Sequence, residues 1–137
     1  MTTHTSPPFE ANTSSAVVRY QVRDVERVTA FYTEHLGFKV VRQFGATLAI
    51  IARGDLILIL SGSDASGSRQ MPDGRKQESG GWNRIVLYVE SIDSTIAALK
   101  DANTRFRNEI EIGPGGKQIL LEDPDGNPIE LHEAPMK

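Results

Sequence analysis

The sequence contains no cysteine, which excludes disulfide bridges, thiolate zinc sites and cysteine nucleophiles. It has only three histidines, so an imidazole-rich metal site is tightly limited. It has no excess of positive charge: 15 Lys and Arg against 18 Asp and Glu give a net charge of -3, whereas a nucleic-acid binder is expected to carry a net basic face. The longest apolar runs, 48–52 and 56–60, are far too short to cross a bilayer. We therefore predict no nucleic-acid partner and no membrane association.

What remains is typical of one soluble domain. The 137 residues are 39% hydrophobic and 24% charged, and a chain of this length buries about two-thirds of its unfolded surface on folding. The first fifteen residues are polar and lack the basic start and apolar middle of a signal peptide. We predict a flexible arm over 1–15, a domain over 16–134 and a cytoplasmic location.

The chain contains an internal repeat. A β-rich run, VVRYQV from Val17, leads into Asp24, and a second run, RIVLYV from Arg84, leads into Ser91. Asp and Ser at these points accept hydrogen bonds from the free N–H groups of a helix's first turn, so each predicts a helix start. Apolar residues at helical spacing follow each cap. Strand-like runs come next, at 38–42, 47–52 and 56–60 in the first half and at 106–110, 117–122 and 128–133 in the second.

Each half is thus predicted to be a β-α-β-β-β module, with the first module over about 16–61 and the second over about 83–134. The segment 62–82 between them is rich in Ser, Gly and charged residues, contains Pro72 and has no periodicity. A loop of this length is either functional, such as a lid, or a linker, and both interpretations stay open. Trp82 at its end either caps a pocket or fills a core or interface.

Two segments resemble the signatures of a known superfamily. FYTEHLGF at 31–38 follows the first predicted helix start, and DPDGNPIEL at 123–131 follows GGKQ at 115–118. Together they resemble the vicinal oxygen chelate superfamily, which includes glyoxalase I, extradiol dioxygenases and fosfomycin- and bleomycin-resistance proteins. The resemblance covers about residues 16–134. It implies an α+β fold in which two βαβββ modules form a cup-shaped mixed sheet, and it implies a homodimer.

In metal-using relatives the cup holds one divalent ion through side chains from the first and last strands of both modules. Carried over residue by residue, these positions fall on Val17, Ile59, Arg84 and Glu130. Only Glu130 has a donor suited to such an ion. Val17 and Ile59 have no donor atom, and the fixed positive charge of Arg84 repels a divalent cation. We therefore predict no metal ligands and no cofactor.

Arg84 and Glu130 are instead predicted to form an ion pair, because a carboxylate in a partly buried cup is costly unless it is paired. The pair either neutralises itself and stiffens the sheet, or it orients an anionic or carbonyl-bearing ligand. Strand alternation and position add further candidates for ligand contact. The complete set of predicted ligand-binding residues is Val17, Arg19, Gln21, Ile59, Trp82, Arg84, Tyr88, Glu130 and His132.

Three functions stay open, and the first is our prediction. It is a metal-independent protein of the bleomycin-resistance type that binds a small organic molecule in the cup. The second is an enzyme of the lyase, isomerase or dioxygenase type in which Glu130 is the catalytic acid or base, aided by Arg84, Tyr88 or His132. The third uses a divalent metal ion on a rebuilt set that includes Glu130 and His132. His132 is otherwise a half-exposed, hydrogen-bonded imidazole.

Overall fold

The computed structural model describes residues 16–135, so the predicted arm over 1–15 lies outside the described residues. The elements in chain order are β1 Ala16–Gln21, α1 Val25–His35, β2 Lys39–Phe44, β3 Leu48–Arg53, β4 Leu56–Ser61, β5 Ile85–Tyr88, α2 Ile92–Asp101, β6 Arg105–Phe106, β7 Glu111–Gly113, β8 Gly116–Glu122 and β9 Pro128–Glu133. A single 3-10 turn, Ser66–Ser68, interrupts the segment between the halves.

Each half forms its own mixed sheet, and the α+β class and the paired β-α-β-β-β modules are confirmed. The first sheet has the order β1-β4-β3-β2; the second has the order β5-β9-β8-β6, with β7 also paired to β8. The first and last strands of each half run parallel, and the other neighbours are antiparallel. The repeat holds in the register as well, since Arg19 faces Ile59 in β1 and β4 while Val86 faces Glu130 in β5 and β9.

Both helices begin at the predicted caps. The side chain of Asp24 accepts a hydrogen bond from the backbone N–H of Arg27 at 3.1 Å, and that of Ser91 accepts one from Ser94 at 3.3 Å. Just past α1, Gly37 takes the left-handed conformation (φ 73°) that a side chain would disfavour. Neither helix in residues 16–135 is long and apolar enough to cross a membrane.

The core lies on the helix side of both sheets and is continuous between the halves. Alternate strand residues point into it, which is the two-residue period of a half-buried strand. The buried strand residues are Tyr20, Ala49, Ile51, Leu58, Leu60, Ile85, Leu87, Ile119, Leu121, Ile129 and Leu131. The intervening residues of β1, β4, β5 and β9 therefore lie on the opposite face, where the candidate residues were predicted.

The strand predicted at 106–110 is wrong: β6 ends at Phe106, residues 107–110 are not in a strand, and β7 begins only at Glu111. Arg107 still donates its backbone N–H to the carbonyl of Leu120 at 2.9 Å. At the next position the side chain of Asn108, not its backbone, accepts the N–H of Leu120 at 2.9 Å. A side-chain amide thus replaces a ladder bond and interrupts the strand.

The turn between β8 and β9 joins the two halves. Asp125 accepts the backbone N–H groups of Arg23 (2.6 Å) and Asp24 (3.1 Å) from the corner between β1 and α1. Asn127 donates through Nδ2 to the carbonyl of Gln21 at 2.8 Å. Within residues 16–135 no strand ladder connects the sheets. These side-chain bonds therefore connect the modules, in addition to the core that they share.

Two buried tyrosines complete this junction. The hydroxyl of Tyr20 donates to the carbonyl of Pro128 at 2.7 Å and accepts the N–H of Ile85 at 2.9 Å, and burial raises its pKa to about 12. The hydroxyl of Tyr32 donates to Asp123 at 2.8 Å. Burial, followed by the charge of Asp123, raises the pKa of Tyr32 well above its usual value of 10.0. Both tyrosines therefore link the first module to the second as neutral hydroxyls.

Candidate functional site

A cavity of about 520 Å³ lies where the two halves meet. Its wall includes β1, the residues around the start of β5 and the end of the segment 62–82. Its lining residues include Arg19, Gln21, Leu56, Glu78, Arg84 and Val86. Arg19 and Gln21 of the first module thus face the same opening as Arg84 of the second.

The predicted ion pair between Arg84 and Glu130 is present. Both Nε (3.1 Å) and Nη2 (2.9 Å) of Arg84 donate to Oε1 of Glu130. Glu130 is only 7% exposed, whereas Arg84 reaches the cavity. Because β5 and β9 are parallel neighbours, Arg84, the residue just before β5, lies beside the first residues of β9. The pair compensates a carboxylate that would otherwise be buried alone.

The second oxygen of Glu130 faces His132. The distance from Oε2 to Nδ1 is 3.3 Å, and Nε2 of the same imidazole lies 2.7 Å from the carbonyl oxygen of Gly115. A carbonyl only accepts, so Nε2 carries a proton, and a proton on Nδ1 would satisfy the carboxylate as well. The hydrogen bond to Gly115, followed by that to Glu130, raises the pKa of His132 above its usual value of 6.5.

We expect His132 to titrate above 6.5 in the folded protein. A raised folded pKa means that the protonated imidazole favours folding, so this contribution is complete below pH 6.5 and is lost as the pH rises through the folded value. Histidine NMR signals followed across pH, assigned with His132→Gln, give the folded pKa. Glu130→Gln should lower it, because the charge and one acceptor are lost. Titration at or below 6.5 would contradict the arrangement.

The remaining candidates are distributed unevenly. The ring of Tyr88 lies 5.1 Å from that of His132, centroid to centroid, and is exposed. The ring of His132 in turn contacts Glu130, and Glu130 contacts Arg84. None of Tyr88, Glu130 and His132 is among the residues that line the 520 Å³ cavity. Val17 and Ile59 lie on β1 and β4 and are not among its lining residues either. The structure thus brings Arg19, Gln21 and Arg84 to the cavity and leaves Val17 and Ile59 apart from it.

Trp82 neither caps the cavity nor fills the core. Its side chain is 69% exposed, and the guanidinium of Arg107 lies 4.7 Å from its ring centroid. Arg107 is itself held by Glu122 (2.8 Å) and by the carbonyl of Gly81 (2.6 Å). This cation–π pair could not be predicted from the sequence, because residues 82 and 107 are far apart in the chain and no local pattern connects them.

The segment 62–82 packs on the face of β1 that points away from the core. Nη1 of Arg19 donates to Oγ of Ser61 at 2.9 Å, and that hydroxyl lies 2.6 Å from Oγ of Ser68. Nε2 of Gln21 donates to the carbonyl of Gly67 at 3.1 Å. The segment therefore forms part of the cavity wall, with two candidate side chains in contact with it.

The donor set does not fit a divalent cation. No group of three or more His, Asp or Glu side chains within residues 16–135 is placed to hold a metal ion. Of the four positions taken from metal-using relatives, two are the aliphatic Val17 and Ile59. The other two positions are Arg84 and Glu130. Oε1 of Glu130 is paired with Arg84 and Oε2 of Glu130 contacts His132. A metal ion would have to displace a guanidinium from its carboxylate.

Fold and sequence together define the class of protein. Residues 14–131 match the Glyoxalase/Bleomycin resistance protein/Dioxygenase superfamily, and the chain belongs to that superfamily. No curated protein sequence matches it at a significant level.

Solved structures show the same fold at low identity. Lactoylglutathione lyase from Agrobacterium tumefaciens aligns with a TM-score of 0.68 and 20% identity over 93% of this chain and 96% of that one. The antibiotic-binding protein TnmS3 from Streptomyces sp. CB03234 aligns with 0.68 and 23% over 92% and 98%. A variant of the fosfomycin resistance protein FosX from Listeria monocytogenes, complexed with Mn(II) and 1S,2S-dihydroxypropylphosphonic acid, aligns with 0.69 and 18% over 93% and 94%.

Proposed function

We propose that this protein binds a small organic molecule, without a metal ion, in the cavity between its two modules. The observation that carries the proposal is the ion pair of Arg84 and Glu130 at positions where metal-using relatives hold their ion. A fixed guanidinium charge 2.9 Å from the one suitable carboxylate opposes a divalent cation by Coulomb repulsion and by occupying its ligand.

The composition of the cavity wall supports an organic ligand. Apolar side chains such as Leu56 and Val86 stand beside the polar Arg19 and Gln21. A volume of about 520 Å³ with mainly apolar walls and a few converging polar groups is typical of small-molecule sites. The similarity to TnmS3, an antibiotic-binding protein, points to the same use of the fold.

Metal analysis and a thermal-shift screen test this proposal. We expect protein purified without chelators to contain no stoichiometric Mn, Fe, Ni or Zn, and added metals to leave its melting temperature unchanged. At least one compound of a metabolite and natural-product library should raise that temperature by mass action. Arg84→Glu should abolish this rise, since it reverses the charge at the cavity. Stoichiometric metal that is lost on Glu130→Ala would contradict the proposal.

A second candidate is an enzyme that moves a proton with Glu130 and His132. The observation that favours it is their 3.3 Å separation beside a guanidinium that could stabilise a developing oxyanion. The same screen distinguishes the two functions. A bound compound that is also converted, with conversion lost and binding kept in Glu130→Gln, would identify an enzyme.

The homodimer and the cytoplasmic location stay predictions. Strand β2 is an edge strand of the first sheet, and its apolar side chains Val40, Val41 and Phe44 are exposed. An uncovered apolar edge of this kind favours contact with a second copy.

A further inference from the structure

We infer that Arg19 is the anion-binding group of the cavity, and that the ligand is an organic oxyanion, a carboxylate or a phosphate, on an apolar body. This inference rests on the proposed function and names its ligand class.

The charges around the cavity single out Arg19. The positive charge of Arg84 is compensated by Glu130 at 2.9 Å. Arg19 has no carboxylate within 4.0 Å among residues 16–135. Glu78 also lines the cavity, yet its carboxylate is not within that distance of Arg19. An anion in the cavity would therefore gain an ion pair at Arg19 without breaking an existing one.

The guanidinium of Arg19 is held in place with donors to spare. Its one protein hydrogen bond within the described residues runs from Nη1 to Ser61 at 2.9 Å. A guanidinium has five N–H donors, so most of those of Arg19 have no protein acceptor there. Ser61 is in turn within 2.6 Å of Ser68, which links the guanidinium to the segment 62–82. The group is thus positioned before any ligand arrives, which lowers the entropy cost of binding.

Gly67 explains how the segment packs so closely. A Cβ built on Gly67 would collide with Nη1 and Cζ of Arg19 and lie 2.8 Å from Nε. The backbone of Gly67 is not in the left-handed region, and the three atoms nearest to a Cβ at this position all belong to the guanidinium of Arg19. The carbonyl of Gly67 is fixed by Gln21 at 3.1 Å. A methyl group at this position should therefore move the guanidinium rather than the loop.

The body of the ligand follows from the other walls. Val18, Leu56 and Val86 are apolar residues of the cavity wall that are not fully buried. An inorganic anion would leave these side chains in contact with water, whereas an aromatic or aliphatic body would cover them. A hydrophobic group bearing one carboxylate or phosphate matches both features.

Matched naphthalene probes test the inference by isothermal titration calorimetry. The probes are 2-naphthoate, 2-naphthyl phosphate and the neutral 2-naphthalenemethanol, which share the ring and differ in the charged group. We expect at least one anion to bind about tenfold or more tightly than the alcohol, as one charge-assisted contact provides. The two anions distinguish a carboxylate ligand from a phosphate ligand.

Variants then assign the preference to Arg19. In Arg19→Met the anion and the alcohol should bind within about twofold of each other, and Arg19→Lys should recover part of the preference. Gly67→Ala should reduce it about threefold or more by displacing the guanidinium. Gly113→Ala is the matched control, because a Cβ at Gly113 meets nothing within 4 Å and its φ is not positive. Circular dichroism verifies that each variant is folded.

Three results would overturn the inference. Equal affinity of the wild type for the anions and the alcohol would refute the ligand class, while binding of the alcohol would leave the proposed function standing. A preference that survives Arg19→Met would assign the anion to another group. If none of the three probes binds, the inference fails for this ligand size and class. The proposed function is then decided separately by the metal analysis and the library screen.

Discussion

Replacing Asp123 by alanine is expected to lower the free energy of unfolding by about 3 kcal/mol or more, because several buried donors would lose one common acceptor. A domain of this kind has a total stability of about 5–15 kcal/mol, so the loss is a large fraction of it. The melting temperature should fall by about 10 °C or more.

The hydrogen bonds of Asp123 explain the size of this effect. The residue is 2% exposed. Its Oδ1 accepts the backbone N–H groups of Asp125 (2.9 Å) and Asn127 (3.0 Å), and its Oδ2 accepts the hydroxyl of Tyr32 (2.8 Å) and Nδ2 of Asn127 (3.2 Å). Burial raises the pKa of Asp123 above its usual 3.8, and the hydrogen bonds from Asn127 and Tyr32 offset only part of that rise. Without the carboxylate, four donors remain in a site closed to water.

Urea denaturation followed by far-ultraviolet circular dichroism measures the change. Asp123→Asn should cost less, about 2 kcal/mol, since one acceptor oxygen remains while the new NH2 group faces donors. Asp64→Ala is the control: Asp64 is an exposed aspartate in the segment 62–82, and its removal should change stability by less than about 0.5 kcal/mol. Equal stability of Asp123→Ala and Asp64→Ala would show that the turn does not hold the halves together.

The local parts of this junction were predictable, but its role was not. The sequence DPDGN predicts a turn, because Pro favours an early turn position and Gly tolerates a positive φ, which Gly126 adopts in the structure. That Asp125 would reach the backbone of Arg23 and Asp24 depends on how the two modules dock. No periodicity in either module contains that information, because docking is decided by the shape of the whole core.

The candidate site shows the same division. Strand alternation predicts that Arg84 and Glu130 lie on one face. The cost of burying an unpaired carboxylate predicts that they form an ion pair, and the structure contains this pair. The contact of Arg19 with Gly67 was not predictable, because the segment that contains Gly67 has no periodic pattern to position it. The loss of the predicted strand after Phe106 likewise involves one long-range contact, in which the side-chain oxygen of Asn108 accepts the backbone N–H of Leu120. Long-range contacts of irregular segments are thus what the sequence left open.

Arg84→Met is expected to destabilise the protein by about 2 kcal/mol, because it leaves Glu130 buried without its main partner. The cost should be smaller than for a fully buried pair, since Arg84 is partly exposed and His132 still contacts Oε2 of Glu130. Thermal melts of the variant and the wild type measure the loss.

Arg84→Met combined with Glu130→Met should restore most of that stability. Replacing a buried ion pair by apolar side chains of similar volume is often neutral or stabilising, because the cost of removing two charges from water disappears. We therefore expect the double variant to fold without the charges of the pair and without the contact of Glu130 with His132. If it is less stable than Arg84→Met alone, the two charges contribute more to folding than their removal from water costs.

The double variant separates the two roles that the pair can have. If the pair only neutralises itself, a compound that raises the melting temperature of the wild type should raise that of the double variant equally. We expect instead that the rise is lost or strongly reduced, because Arg84 lines the cavity and Glu130 fixes its guanidinium. Retained stability with lost binding would assign the pair to the ligand. Retained binding would show that the pair of Arg84 and Glu130 is only a structural replacement for the metal ion of relatives. Other residues of the cavity wall would then recognise the ligand.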